Sequence, residues 1–242
     1  METKYPYIAH PFPSEDDLLP PEGVIVHAPL GEVSFYPTGH SASRGERSYI
    51  KAIRSMVRGY VTDVFDTPGF MESMYAIIDQ GLSAAWSEGA KRGGSSVIDL
   101  PPEGQQVLRD MISTDYTHVP GFVSYLSLRN AMYLEGRKKE ALDQAYNRAV
   151  QWTNRYSEVA TRAELLARQD QKMIWSLGPI EHCDSCLTFS GRVYRASTWL
   201  KYNAIPRSWR LCCTGRHCQC RLTPAPDLPM TRGRFPEGAL CN

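Results

Sequence analysis

Six of the chain's seven cysteines fall within 38 residues, Cys183 and Cys186 as C-x-x-C and then Cys212, Cys213, Cys218 and Cys220 in L-C-C-T-G-R-H-C-Q-C. A cysteine used as a small hydrophobe appears singly on an apolar face. Two short-spaced groups about 30 residues apart can instead bring four thiolates to one tetrahedral ion. The pattern predicts a structural zinc site. A redox C-x-x-C would need a surrounding βαβ pattern, and none is present.

Choosing the ligands is harder than recognising the cluster. Cys183 and Cys186 form the first pair. The second is either Cys218 with Cys220, the tightest spacing, or Cys213 with Cys218, whose four-residue spacer 214–217 has the length of a turn. The candidate metal set is therefore Cys183, Cys186, Cys213, Cys218 and Cys220. His182 and His217 each adjoin a cysteine and rank behind the thiols, because adjacent residues seldom point at one ion. Between the two groups, residues 191–195 read as a short strand or hairpin and residues 197–202 as a helical turn around Trp199. So small a module buries little core, which makes metal its expected main source of stability.

A catalytic zinc needs an open coordination position and a neighbouring acid or base. Glu181 and Asp184 are nearby, but the zinc deaminase signature joins H-x-E to P-C-x-x-C. Here Pro179 is followed by Ile180, Glu181 and His182 before Cys183, and the chain contains no H-x-E. H-E-x-x-H, G-x-S-x-G, the phosphate loop and G-x-G-x-x-G are absent as well. The sequence reads as that of a non-enzyme with no small-molecule substrate.

With 242 residues, 42% hydrophobic and 22% charged, the composition is that of an ordinary globular protein. No stretch approaches the roughly 20 apolar residues of a bilayer span, so no membrane association is expected. Residues 1–10 lack the features of a secretory signal, which predicts a reducing compartment and no disulfides. The net charge of +1 is unevenly spread: residues 1–44 carry −4, residues 45–174 balance, and residues 175–242 carry +5. The basic carboxyl end is a modest electrostatic footprint for DNA, to be weighed against ordinary solvated charge.

Proline divides the chain. Residues 1–44 contain seven prolines, which excludes a long helix or central strand and predicts an extended arm. Its Tyr5, Tyr7, Phe12, Val24, Ile25, Phe35 and Tyr36 suit docking on a partner chain. Residues 223–242, with four more prolines, are expected to form a second extended arm. Between them, residues 45–175 read as a helical body. Apolar residues recur at helical spacing from Tyr49 to Phe65, with Ser43 or Ser48 as the cap, and again from Phe70 to Lys91 before Gly93 and Gly94. A third helix is expected from Pro102 to about Tyr116, with a break at Pro120 and Gly121 before a further segment at 122–133. The clearest seam follows: Leu142, Ala145, Ala149, Trp152, Tyr156, Val159, Ala163, Leu166, Asp170 and Met173 predict a helix over 138–175, roughly 55 Å long. It is either the central helix of a bundle or a helix that packs on another chain.

The residues Trp175-Ser-Leu-Gly-Pro-Ile-Glu-His-Cys183-Asp-Ser-Cys186, then Gly191-Arg-Val-Tyr194, Trp199, Pro206, Leu211 and Cys213-x4-Cys218-x-Cys220-Arg-Leu222, carry a likeness. They resemble the carboxyl-terminal module of tailed-phage minor head proteins, the head-morphogenesis family related to protein F of phage Mu. Upstream, Ala85-Trp86-Ser-Glu-Gly89-Ala90 and Arg148-x3-Trp152-x-Asn154-Arg-Tyr156 look like that family's helices, so the likeness spans about residues 70–222. Many relatives have H-P-N-C-R-C at the second cysteine group. Gly215 stands where that histidine would fall, and the resemblance hands its role to Cys213, with Cys212 a bystander.

The resemblance implies a mainly α virion protein: a helical body at 45–175, a zinc-stapled module with a short β-hairpin at 176–222, and arms at 1–44 and 223–242 that lie along neighbouring subunits. Expected partners are capsid or portal proteins, in several copies, with DNA contact as an additional possibility. The expected location is the capsid or portal vertex of the virion, and the bacterial host cytoplasm during assembly. The alternative is a zinc-module DNA-binding protein outside the virion.

Overall fold

A computed structural model describes residues 43–179, 182–208, 210–212 and 218–240. The expected amino-terminal arm lies almost wholly outside the described residues. The described chain is mainly helical, with four long helices followed by a small mixed module.

Helix α1 (Arg44–Val61) is capped by Ser43, whose Oγ accepts the Glu46 amide at 3.0 Å. It stops short of the apolar run, because Asp63 turns the chain with φ of 63° and leaves Val64 70% exposed. Aspartate tolerates that left-handed region better than most residues. Helix α2 (Thr67–Arg92) starts at an Asp66 cap and ends before Gly93. Helix α3 (Pro102–Leu134) corrects the expected break, since it runs straight through Pro120 and Gly121. An interior proline forfeits one helix hydrogen bond and costs about 3 kcal/mol. Both residues lie on the exposed side, where water can meet the freed carbonyl, while Val119, Phe122, Val123 and Leu126 bury the opposite side.

Helix α4 (Lys138–Arg168) is the centre of the body. Ala145, Ala149, Trp152, Tyr156, Val159, Ala163 and Leu166 are all buried, and the helix packs on α1, α2 and α3. The seam is thus satisfied within the chain itself. Helix α2 comes so close to α4 that a Cβ on Gly89 would sit 2.0 Å from the Ala160 carbonyl oxygen. The polar side of α4 is also buried in part: Arg155 Nε reaches Asp115 of α3 at 3.0 Å and its Nη1 reaches Glu158 at 2.7 Å. Arg162 completes the chain of charges, pairing with Glu158 at 3.4 Å and hydrogen-bonding Asn203.

Helix α4 ends at Arg168, seven residues before the predicted end, because Gln169 leaves helical dihedrals. Strand β1 (Lys172–Ser176) follows, with Met173 and Trp175 inward. After α5 (Asp184–Phe189) come β2 (Val193–Arg195), α6 (Ala196–Lys201) and β3 (Arg221–Pro224). The strands form an antiparallel sheet in the order β2-β1-β3, so the expected hairpin is replaced by a three-stranded sheet with β1 in its centre.

The carboxyl-terminal stretch is extended as expected, but it binds its own module. Thr231 exchanges hydrogen bonds with Val193, at 2.9 Å each, and Phe235 stacks on Tyr202 with ring centroids 4.1 Å apart. Phe235 also contacts Phe189, Tyr194 and Trp199, and Phe189 and Trp199 in turn contact Trp175. The module therefore owns an aromatic core, contrary to the expectation that metal would be its chief support. That core is continuous with the helical one, which joins α1–α4 to the sheet through a single buried cluster.

Candidate metal centre

Three of the predicted ligands converge. Cys186 is on α5, one turn into the helix, while Cys218 and Cys220 lie on the segment that leads directly into β3. Their sulfurs all lie within 4.8 Å of one another, and all three residues are buried. The Cys186 and Cys218 sulfurs are 4.0 Å apart, close to the roughly 3.8 Å that two thiolates adopt around a tetrahedral ion with bonds of about 2.3 Å. The alternation C-x-C makes this possible: in extended chain, residues two apart point to the same side. Of the two second pairs left open by the sequence, the structure brings Cys218 and Cys220 together. Cys213, like His217, lies outside the described residues.

Cys183 is placed differently. It is the amino-terminal cap of α5, half-buried, and its sulfur accepts the Cys186 amide at 3.5 Å. It does not belong to the mutually close set. The exposed Cys212 is disulfide-bonded, which corrects the expectation of a fully reduced chain; its partner lies outside the described residues. That bond removes Cys212 from the donors, leaving Cys183, Cys186, Cys218 and Cys220 as the described cysteines outside a disulfide.

The cluster fits a metal ion by its chemistry as well as its spacing. Its donors are all sulfur, which suits soft or borderline ions. The hydrogen bond with Cys186 works to lower the Cys220 thiol, but the hydrogen bond with Cys218, burial and the charge of Cys218 outweigh it and push it up to about 11. Without an ion Cys220 therefore holds its proton, and binding an ion there would release it.

Arg207 is a residue that sequence reasoning missed. With φ of 69° it turns its side chain back so that Nε donates to the Cys218 carbonyl at 3.0 Å. Its Nη1 meets Glu46 of α1 at 3.1 Å and also donates to Ser157 of α4. One guanidinium thus ties the cysteine segment to two helices of the body. Nothing in a single arginine of a basic segment announces this, since Glu46 is 161 positions away.

Among the described residues no helix is long and apolar enough to cross a membrane. Set against family models, curated proteins and solved structures, the chain finds no match in any of the three.

Proposed function

We propose that the chain is a structural subunit of a tailed-phage head, of the minor head class, and that zinc at Cys186, Cys218 and Cys220 staples its carboxyl-terminal module. The observation that carries the reading is the convergence of Cys186, from the C-x-x-C, with both cysteines of the C-x-C at the end of a helical body, the order of parts that the resemblance implies. Zinc is favoured over redox-active metals because thiolate donors in a buried, closed site suit a structural ion. In this reading the chain has no catalytic role, contacts capsid or portal subunits in several copies, and resides in the virion after assembly in the host cytoplasm.

The alternative, a DNA-binding module outside the virion, draws on the +5 segment. Several of its cations are engaged by the chain itself: Arg192 donates to Thr188, Arg195 to Asp170 and Arg207 to Cys218, all at backbone carbonyls. That favours protein contacts over a free cationic face.

Quantitative mass spectrometry of purified virions tests the proposal by counting this chain against the major capsid protein. About a dozen copies or fewer would place it at the portal vertex, the outcome expected of a minor head protein, and counts near that of the capsid protein would make it a shell component. Absence from both virions and assembly intermediates would overturn the reading.

A further inference from the structure

A tetrahedral ion needs four donors, and the described cluster supplies three sulfurs. Two described residues border it, Cys183 and His182. Cys183 caps α5, its sulfur accepting the Cys186 amide at 3.5 Å. His182 approaches the cluster through one sulfur, its Nδ1 lying 3.5 Å from Cys220 Sγ. Bonds of about 2.3 Å to sulfur and 2.0 Å to nitrogen at a tetrahedral angle put the two donor atoms about 3.5 Å apart.

The ring is held with the right tautomer. Its Nε2 lies 2.9 Å from the Gly178 carbonyl oxygen, which can only accept, so Nε2 carries the proton and Nδ1 presents its lone pair towards Cys220. A metal-bound histidine characteristically donates its second nitrogen to such a carbonyl. Gly178 is itself fixed against the cysteine segment: a Cβ there would fall 2.4 Å from that of Gln219, between Cys218 and Cys220. The same glycine therefore ties the ring to the cysteine segment.

We infer that the fourth ligand is His182 through Nδ1, giving a three-thiolate, one-imidazole site with Cys183 outside it. The inference rests on the reading of the cluster as a metal centre. His182 and Cys183 both stand outside the mutually close set of three sulfurs; of the two, His182 is the one with a donor atom at ligand–ligand distance from a sulfur of that set.

The test is cobalt(II) titration of the full chain, read by absorption. The intensity of the thiolate-to-cobalt charge-transfer band counts thiolates, and the ligand-field bands distinguish three sulfurs and a nitrogen from four sulfurs. The expected spectrum is that of three sulfurs and one nitrogen. Cys183→Ser is expected to leave it unchanged. His182→Ala is expected to weaken cobalt affinity by more than the roughly 10- to 100-fold that follows loss of an outer-sphere partner. A four-thiolate spectrum in the unsubstituted chain, which needs no variant to fold, would overturn the assignment. So would a Cys183→Ser protein that loses one thiolate's share of the band. No cobalt binding at all would instead overturn the metal centre, and His182 with it.

Discussion

Arg155→Met probes the buried charges of the helical body. The substitution keeps most of the side-chain volume and removes the guanidinium from between Asp115, 1% exposed, and Glu158, 3% exposed. Glu158 retains Arg162, but Asp115 loses the guanidinium that pairs with it. Breaking a buried pair from one side costs about 3–5 kcal/mol. The cost depends on pH in a direction the structure fixes. Burial raises the Asp115 carboxyl to about 6 from an ordinary value of 3.8, against the lowering effect of Arg155 and with Glu158 adding to the rise. Its folded value lies above the unfolded one, so the native state holds the proton more tightly and stability falls as pH rises through that window. Without Arg155 the carboxyl rises further and the loss extends to higher pH. His118 acts in the same sense: burial, then Arg155 and Arg148, lower it to about 4. An imidazole depressed in the folded state loses stability as pH falls from its ordinary 6.5, and removing Arg155 relieves part of that loss. The substitution should therefore cost about 3–5 kcal/mol at pH 8 and clearly less at pH 5, measured by urea unfolding of the full chain. Adding Asp115→Asn should recover much of the loss at pH 8. A cost below about 1 kcal/mol, or one equal at both pH values, would refute the reasoning.

Two further outcomes are expected. Phe235→Ala empties the centre of the module's aromatic cluster and should cost about 3–5 kcal/mol, altering near-ultraviolet circular dichroism from Trp175 and Trp199 while far-ultraviolet helical signal persists; an unchanged near-ultraviolet spectrum would show that the terminal stretch is dispensable to the core. Stripping zinc with a chelator should likewise spare most helical signal, because α1–α4 bury their own faces, and should shift tryptophan fluorescence reversibly on zinc return. Loss of the helical signal itself would mean that the ion supports the whole fold.

The long helices were legible because their buried residues recur at helical spacing and Ser43, one of two candidate caps, carries the right side chain. The errors have physical sources. Asp170 and Met173 continue the α4 seam by spacing alone, so periodicity could not reveal that Met173 belongs to a strand. Pro120 is tolerated because its missing amide falls on the exposed side, a fact about tertiary orientation. At the cysteine cluster, spacing singled out Cys186, Cys218 and Cys220 together with Cys183, which stands outside the close set; the approach of Cys218 and Cys220 to Cys186 depends on the path of the chain back past α5. The burial of Arg155, Glu158 and Arg162 was invisible, because charges at these positions of α4 look like an ordinary solvated face. The role of the last residues was hidden too, since proline-rich chain reads as an arm wherever it lies.

The strand order has a consequence for how the chain reaches this state. Strand β1 cannot complete its pairing until the chain has passed β3, because Met173 pairs with Tyr194 on one side and Pro224 on the other. Until then Met173 and Trp175 sit on a strand with two open edges, the kind of surface that recruits other chains. Cys220 immediately precedes β3, so an ion that gathers Cys218 and Cys220 onto Cys186 also sets where β3 begins. A slip of one residue would turn Leu222 outward and Arg221 inward. A metal bound there, as proposed, would be a register mark for the last strand of the sheet, and its capture would time the closing of the exposed edge.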